Sequence, residues 1–228
     1  MSQVETEFEL YCRGESGNCF KAALMLKLSG LEWRARFVDF FDEQTRGSFK
    51  NAVSDMGELP VLRTRTLTVS QSGVILTYLS KLTGKFGGRD DTEKLEILRW
   101  ILFDNHRFTP NYASLRFMIG IRKIEENAVT QFLRSQTMAA FDVVEARLSD
   151  RPFIVGERPT IADISMVGYQ FYDEATGIDR DKYPNLLAWL DRMSKLPGWA
   201  HPYDLMPRAL RGTGPAHGPD PETSVRWP

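Results

Sequence analysis

The stretch that decides the fold is residues 8–41, FELYCRGESGNCFKAALMLKLSGLEWRARFVDFF. Its first six residues favour a strand and are followed by the turn-rich residues 14–18, so a strand and then a loop are predicted. From Cys19 to Leu31 the segment has the length of a helix and is apolar on nearly all sides, which predicts a helix covered on most of its surface. Strand character returns over residues 34–41. Strand, helix and strand together predict a βαβ unit with parallel pairing.

The next segment completes a small α/β domain. After a polar stretch that predicts an irregular helix or a loop, residues 58–63 and 66–69 predict an antiparallel hairpin. Residues 70–72, SQS, can cap a helix whose apolar residues follow at helical spacing, and Gly84 is a suitable stop for it. The predicted order for residues 7–84 is therefore βαβ, then an irregular helix or loop, then ββα.

The second half of the chain is predicted to be all-helical. One amphipathic helix is expected to begin at Asp91, and another is expected to end near Leu148. The apolar residues that define their predicted faces are Leu95, Leu98, Leu102 and Phe103 in the first helix, and Val129, Phe132, Leu133, Ala140 and Val143 in the second.

Two later signals mark the start of further helices. Residues 160–163, TIAD, predict a capping box, and Pro184 is suited to the first turn of another helix. Residues 91–206 are therefore predicted to form an all-helical domain. Residues 207–228 are rich in Gly and Pro and predict a disordered tail.

Composition and charge narrow the function classes. The chain carries 29 Lys and Arg against 30 Asp and Glu, so no basic excess is available to bind nucleic acid. The longest apolar run, residues 22–26, is far shorter than the ~20 residues of a membrane-spanning helix, and the acidic start lacks the features of a signal peptide. The three histidines are dispersed and predict no metal site. Two cysteines, Cys12 and Cys19, suit a reducing compartment, so a cytoplasmic protein is expected.

Three polar features of the first half could hold an anionic, peptide-like ligand. Ser16 lies between the first strand and the first helix, where it either caps that helix or favours a bound anion such as a thiolate. Pro60 is either an ordinary trans proline at a strand edge or a cis proline, whose bend would leave the Leu59 backbone available to a ligand. Gln71 and Ser72 open another helix, where they either cap it or bind a carboxylate.

Taken in order, five motifs resemble those of the cytosolic glutathione S-transferases of bacterial type with a serine-type active site. They are LYCRGESGNCFK at 10–21, GELPVL at 57–62, QSGVILTYL at 71–79, FIVGERPTIADI at 153–164 and LPGWAHPYD at 196–204. The resemblance covers roughly residues 8–206. It implies a thioredoxin-like domain that binds glutathione at 7–84, followed by an all-helical domain at 91–206 that binds an electrophile. It also implies a homodimer, glutathione as co-substrate, no covalently bound cofactor, and no metal, nucleic-acid or membrane partner.

The resemblance further implies roles for particular residues. Ser16 is the catalytic residue, which donates a hydrogen bond to the glutathione sulfur. The backbone of Leu59, next to Pro60, binds the cysteinyl part of glutathione. Gln71 and Ser72 bind the γ-glutamyl end.

Other residues are assigned to binding the glycine end of glutathione and to the electrophile pocket. The glycine carboxylate of glutathione needs a cation, which Arg46 or Lys50 could supply, and Arg46 is preferred. The pocket for the electrophile is expected to be lined by His106, Phe108, Tyr112 and Phe117, although an aromatic stripe at such spacing is more often part of a core.

The implied function is transfer of glutathione to small hydrophobic electrophiles. A glutathione-dependent disulfide or peroxide reductase would use the same activated thiolate and stays an alternative. A third alternative is a glutathione-binding or scaffold protein without turnover, which the irregular loop at Asn51–Asp55 and the acidic Glu58 favour. Cys12 and Cys19 are expected to be small core residues rather than nucleophiles.

Overall fold

The computed structural model describes residues 8–40 and 42–208 of the 228-residue chain. The described residues form two compact units, one made of 8–40, 42–83 and 197–208 and the other of 84–196. The sequence assigns residues 197–206 to the helical domain, whereas the structure groups this segment with the first unit. The tail predicted from position 207 begins with two described residues, and its remainder, 209–228, lies outside the described residues.

The described strands of the first unit form one four-stranded mixed sheet in the order β2-β1-β3-β4. They are β1 (Phe8–Cys12), β2 (Trp33–Phe37), β3 (Val61–Arg63) and β4 (Thr68–Ser70). Strand β1 pairs in parallel with β2, with Leu10 opposite Ala35, and antiparallel with β3. Strands β3 and β4 are antiparallel. The predicted parallel βαβ unit and the predicted hairpin are both confirmed.

The helices described in the first unit are α1 (Gly17–Ser29), α2 (Glu43–Ala52), α3 (Ser72–Thr83) and the short α9 (Pro202–Leu205), which packs on α1. As predicted, α1 is covered on nearly all sides, and only Lys27 is exposed. Gly84 follows α3 with a φ of +69°, a conformation that suits glycine. The segment predicted as an irregular helix or loop is the regular helix α2, whose first turn is capped because the Asp42 carboxylate accepts the Thr45 N–H at 2.7 Å.

The second unit is helical, as predicted. Its helices are α4 (Asp91–Phe103), α5 (Thr109–Leu115), α6 (Ala128–Arg147), α7 (Ile161–Met166) and α8 (Pro184–Ser194). Helices α4 and α5 each continue into a π-helical turn, Asp104–Phe108 and Arg116–Ile121. Between positions 84 and 196 the β structure is limited to a single bridge between Phe153 and Gly156. Pro184 occupies the first turn of α8, as its position in the sequence predicts.

The predicted capping box at the start of α7 is confirmed. Thr160 is the N-cap, and Asp163 returns a hydrogen bond to the Thr160 N–H at 2.8 Å. The Asp163 carboxylate is fully buried and also accepts the Ile154 N–H at 2.8 Å and the Trp189 indole N–H at 2.9 Å. One carboxylate therefore ties the start of α7 to α8 and to the segment that precedes α7.

The predicted apolar faces of α4 and α6 point outward. Three leucines of α4 and three apolar residues of α6 have exposed fractions between 42 and 68 %: Leu95, Leu98, Leu102, Val129, Phe132 and Val143. The core is instead reached by Ile97, Trp100 and Ile101 of α4 and by Phe141 and Val144 of α6, together with Ala140, the one residue of the predicted α6 face that is fully buried. The Arg147 guanidinium donates to the Glu96 carboxylate at 2.8 Å, which ties the end of α6 to α4. We call the six exposed residues the α4–α6 patch.

Candidate functional site

Ser16 is the N-cap of α1. Its backbone is extended (φ −94°, ψ 112°), and its hydroxyl oxygen accepts the Cys19 N–H at 3.3 Å. The side chain is half-buried, so its hydroxyl proton can still turn toward a molecule at the helix end. The capping role considered for Ser16 is therefore present, and it leaves the donor function available.

The first turn of α1 has further donors beside Ser16. Among the described residues, the N–H groups of Gly17 and Asn18 make no hydrogen bond. Unpaired N–H groups and the positive end of the helix dipole favour an anion at this position. A hydroxyl and two amide groups thus converge on one helix terminus.

The loop that precedes β3 leaves the backbone of Leu59 available to a ligand. The Leu59–Pro60 peptide bond is cis, which is one of the two alternatives that the sequence left open. The Ser54 hydroxyl bonds to both the N–H and the C=O of Glu58, each at 3.3 Å, and so braces the loop. Within residues 8–40 and 42–208, neither the N–H nor the C=O of Leu59 is hydrogen-bonded, so this residue can pair with an extended peptide.

Gln71 stands at the start of α3 in an unusual conformation. Its φ is +66°, in the left-handed region that a glutamine rarely adopts, and its C=O accepts the N–H groups of Val74 and Ile75 at 3.0 Å each. Its side-chain amide donates to the Glu58 carboxylate at 2.8 Å. Ser72, the first residue of α3, is buried. A strained residue that presents an amide at a helix start is the kind of feature that functional sites retain.

The contact between Gln71 and Glu58 was not predicted. Glu58 is an exposed carboxylate beside Leu59, and no feature of the sequence pattern predicts that it reaches the start of α3. The two candidate cations on α2 also differ. Arg46 and Lys50 are both exposed, but the Lys50 stem lies against Gly57, where a Cβ would be 3.3 Å from the Lys50 Cδ. Lys50 is therefore the cation that contacts the loop carrying Leu59.

The two cysteines are buried and poorly nucleophilic. Burial raises the pKa of Cys12 well above its usual value and raises the pKa of Cys19 to about 11, a rise that a hydrogen bond with Ser16 partly opposes. Both thiols therefore stay protonated near pH 7, and a thiol is a far weaker nucleophile than a thiolate. This environment agrees with their expected place in the core.

The four residues expected to line an electrophile pocket divide into two pairs. Phe108 and Tyr112 are 0 and 2 % exposed, and their ring centroids lie 5.3 and 5.4 Å from that of Phe141. They belong to the core of the second unit, because aromatic rings packed in this way leave no surface for a substrate. His106 and Phe117 are exposed.

The chemistry offered by these groups is that of binding and of stabilising an anion. One hydroxyl, one amide side chain, the open backbone of Leu59 and the starts of α1 and α3 all lie in the first unit. Within the described part of the chain, no group of three or more His, Cys, Asp or Glu side chains could hold a metal ion. The arrangement suits a small peptide that carries carboxylates and a thiol.

Comparisons with known families agree with this description. Residues 15–82 match the family model described as the N-terminal domain of glutathione S-transferase, and residues 108–197 match the model of its C-terminal domain. Together the two matches cover well over half of the chain. Ser16, Leu59, Gln71 and Ser72 all fall within the first match.

Individual relatives are similar over nearly the whole chain. An Arabidopsis thaliana protein named Glutathione S-transferase F14 is 24 % identical over 86 % of this chain and 82 % of its own length. The crystal structure of a glutathione S-transferase from Pseudomonas fluorescens has a TM-score of 0.82 and 29 % identity, covering 87 % of this chain and all of that one. A glutathione transferase from Burkholderia graminis, crystallised with two glutathione molecules per subunit, has a TM-score of 0.76 and 22 % identity over 86 and 87 % of the two chains. With both domain models matched in order and the fold shared, the chain belongs to the glutathione S-transferase superfamily.

Proposed function

We propose that this protein transfers glutathione to small hydrophobic electrophiles and that Ser16 holds the glutathione sulfur as a thiolate. The observation that carries the proposal is the group of donors at the start of α1, where the Ser16 hydroxyl lies beside the unpaired N–H groups of Gly17 and Asn18. A free thiol with a pKa of ~8.5 is only a few per cent ionised at pH 7. Lowering that pKa by about two units, roughly 2.7 kcal/mol, makes the thiolate the main form.

The backbone of Leu59 fixes the middle of the tripeptide. Its N–H and C=O can pair with the C=O and N–H of the cysteinyl residue, as adjacent strands do. Such pairing would hold the cysteinyl side chain in one orientation, with its sulfur directed at Ser16. Pro60, which follows Leu59, is buried and keeps the loop against the sheet.

The γ-glutamyl end of glutathione is a zwitterion and needs both a donor and an acceptor. The Gln71 amide, the Ser72 hydroxyl and the first N–H groups of α3 can bind its carboxylate. The Glu58 carboxylate, which lies 2.8 Å from the Gln71 amide, can accept its ammonium group. Glu58 is thus consistent with glutathione binding, although its charge first suggested a protein without turnover.

At the glycine end of glutathione, a cation on α2 binds the carboxylate. Arg46 and Lys50 lie one turn apart on this helix, and Lys50 contacts Gly57 in the loop that holds Leu59. Lys50 is therefore the principal cation for this carboxylate in our proposal, and Arg46 the secondary one.

In the reaction, the thiol proton leaves for solvent and the sulfur attacks the electrophilic carbon. A C–S bond forms while a halide departs or an epoxide C–O bond opens, and the electron pair stays on the leaving group or the oxygen. Holding the electrophile next to the thiolate supplies the remaining acceleration. Of the four residues predicted to line the electrophile pocket, His106 and Phe117 are the two that are exposed.

The experiment that tests the function is a panel of substrates with saturating glutathione, comprising a haloarene, an epoxide, a hydroperoxide and a mixed disulfide. Turnover of the first two supports the transferase. Turnover of the last two alone supports the reductase, in which the same thiolate attacks oxygen or sulfur. Glutathione binding without any turnover would support the scaffold protein instead.

Substitutions at Gln71 are expected to separate binding from backbone strain. Gln71→Ala and Gln71→Gly should each weaken glutathione binding by about ten- to a hundredfold, because a hydrogen bond to a charged group is lost. Gln71→Gly should also raise the free energy of unfolding by up to about 1 kcal/mol, because glycine accepts a φ of +66° without strain. Calorimetric titration and chemical denaturation measure the two effects.

Lys123 provides the matched control, because it has a φ of +55° and lies in the second unit. Lys123→Gly should give a similar gain in stability and leave glutathione affinity unchanged. Unchanged affinity in both Gln71 variants would remove Gln71 from the binding site.

We also propose that the chain forms the homodimer that the resemblance implies, and that the two copies associate through the α4–α6 patch. Six large apolar side chains exposed on α4 and α6 exceed the scattered exposure that is normal for a monomer. Their spacing along each helix, at positions 95, 98 and 102 and at 129, 132 and 143, produces a stripe rather than isolated residues. The same surface of a second copy of the chain is the simplest partner for this patch, because a symmetric dimer packs identical surfaces against each other.

The dimer predicts a specific change of mass. Sedimentation equilibrium should give twice the 26.1 kDa chain mass for the unsubstituted protein and a single chain mass for Leu98→Glu combined with Phe132→Glu. Ile124→Glu, at an exposed apolar residue outside the patch, should stay dimeric. A protein that is monomeric without substitutions would refute this assignment.

A cytoplasmic location remains part of the proposal. It is supported by the two unpaired cysteines, since thiols persist in reducing compartments.

A further inference from the structure

The residues that follow α8 return to the first unit and contact the loop that leads to Ser16. We call residues 202–208 the strap. The Gly14 N–H donates to the Pro207 C=O at 2.7 Å, and both Met206 and Pro207 are buried. Gly14 precedes Ser16 by two residues, so the strap is fastened directly to the loop between β1 and α1.

The contact leaves little room for a side chain at position 14. A Cβ on Gly14 would lie 3.0 Å from the Pro207 oxygen, 3.0 Å from the Arg208 Cγ and 3.3 Å from the Met206 oxygen. Two of these three atoms are backbone oxygens, which cannot move aside as the end of a flexible side chain can. A side chain here would therefore push the strap away by a few tenths of an ångström, and space rather than backbone conformation favours glycine, since its φ is not in the left-handed region.

Further contacts within the loop connect Gly14 to Ser16. On either side of Gly14, the Arg13 guanidinium and the Glu15 carboxylate form a buried ion pair at 3.2 Å. The Ser16 N–H donates to the Arg13 C=O at 3.2 Å, which closes the turn. Gly14 lies inside this turn, so a shift of Gly14 shifts the backbone of Ser16.

Contacts within the strap stabilise its conformation. The Arg208 guanidinium lies 3.5 Å from the centre of the Tyr203 ring, and the Met206 N–H donates to the Pro202 C=O at 3.1 Å. The strap also begins with α9, which packs on α1. The strap thus contacts both the helix that Ser16 caps and the loop that precedes it.

We propose that the strap is a positioning element for Ser16. By fixing Gly14, it keeps the Ser16 hydroxyl oxygen at the start of α1, where it accepts the Cys19 N–H. The kinetic consequence rests on the proposed function, because a displaced hydroxyl stabilises the glutathione thiolate less well. The conformational consequence does not depend on glutathione.

Two shortened chains test the inference. One ends at Leu205 and loses the contacts of Met206 and Pro207, while its matched control ends at Arg208 and keeps them. Hydrogen exchange measured by NMR should be about tenfold or more faster at Gly14 and at Cys19 in the first chain, and unchanged in the control. Unchanged exchange at Cys19 in the chain ending at Leu205 would overturn the inference, whatever the protein binds.

A kinetic measurement separates positioning from simple stabilisation. The chain ending at Leu205 should bind glutathione with a raised thiol pKa and show about tenfold lower kcat/KM, because small displacements of a catalytic group are costly. In a Ser16→Ala background the same shortening should have no further effect on either quantity. A shortened chain that unfolds more easily but keeps the thiol pKa of the full chain would contradict the positioning role.

Gly14→Ala adds an independent variant of full length. It should reproduce the effects of shortening at Leu205, since its Cβ displaces the Pro207 carbonyl. If the full chain itself fails to lower the thiol pKa of glutathione, the proposed function fails, and the exchange at Cys19 still decides the role of the strap.

Discussion

Replacing Ser16 with alanine is expected to lower kcat/KM for conjugation by about ten- to a thousandfold at pH 7, the range found when one positioned donor to an anion is removed. The hydroxyl stabilises the thiolate more than the thiol, so its loss raises the pKa of the bound sulfur. The thiolate fraction at pH 7 then falls in proportion. Because any thiol ionises above its own pKa, the difference in kcat/KM between Ser16→Ala and the unsubstituted protein should narrow as the pH approaches 9.

Capping and catalysis must be separated at this position, because Ser16 also caps α1. Ser16→Ala should cost about 1 kcal/mol of stability, whereas Ser16→Gly should cost only a few tenths, since glycine is an acceptable N-cap. Both should lose activity equally if the hydroxyl is the catalytic group. Ser16→Thr, which keeps a hydroxyl and a cap, should retain most of the activity. An activity loss that follows the loss of stability would instead assign Ser16 to capping alone.

Asp163→Ala should be the most destabilising single substitution, lowering the free energy of unfolding by about 3–5 kcal/mol. Burial raises the pKa of the Asp163 carboxyl, and four hydrogen bonds from Ile154, Thr160 and Trp189 oppose that rise. Removing the carboxylate leaves these donors buried without an acceptor. For a chain of this size, the expected fall in Tm is about 10 °C.

Two further variants provide a comparison for the free energy of unfolding that Asp163→Ala loses. Asp163→Asn keeps the size and one acceptor oxygen, so it should cost roughly half as much as alanine. Asp150→Ala removes an exposed carboxylate that pairs with its neighbour Arg151, and should leave the free energy of unfolding almost unchanged. Denaturation at a fixed protein concentration compares them. A loss of under about 1 kcal/mol for Asp163→Ala would mean that the capping box does not hold the second unit together.

The parts of the fold that local chemistry determines were predictable. Ser16 and Thr160 precede apolar helices with side chains that can cap them, and both are N-caps in the structure. Helix α2 was less predictable, because it contains Gly47 and has only two apolar residues, Phe49 and Ala52, of which Phe49 alone is buried.

The faces of helices were harder to assign than the helices themselves. Helix α4 has apolar residues on two sides, and its spacing cannot tell which side faces the core. Leu95, Leu98 and Leu102 have the regular spacing, yet Trp100 and Ile101 reach the interior. The same limit applied to the predicted pocket. Periodicity cannot separate an aromatic residue in the core, such as Phe108, from one at the surface.

Contacts between distant segments left no trace in the sequence pattern. The hydrogen bond between Gly14 and Pro207 joins residues near opposite ends of the described chain, and the sequence around Gly14 predicts only a turn. The contact of Glu58 with Gln71 depends on the path of the hairpin between them. Both needed three-dimensional structure, because neither residue type is unusual at its place in the sequence.

The most direct measurement of the central claim is the ultraviolet absorbance of the glutathione thiolate, titrated with pH in the binary complex. The account predicts a midpoint near pH 6.5, about two units below the ~8.5 of an ordinary thiol. A midpoint equal to that of unbound glutathione would contradict the claim that the start of α1 holds the sulfur as an anion.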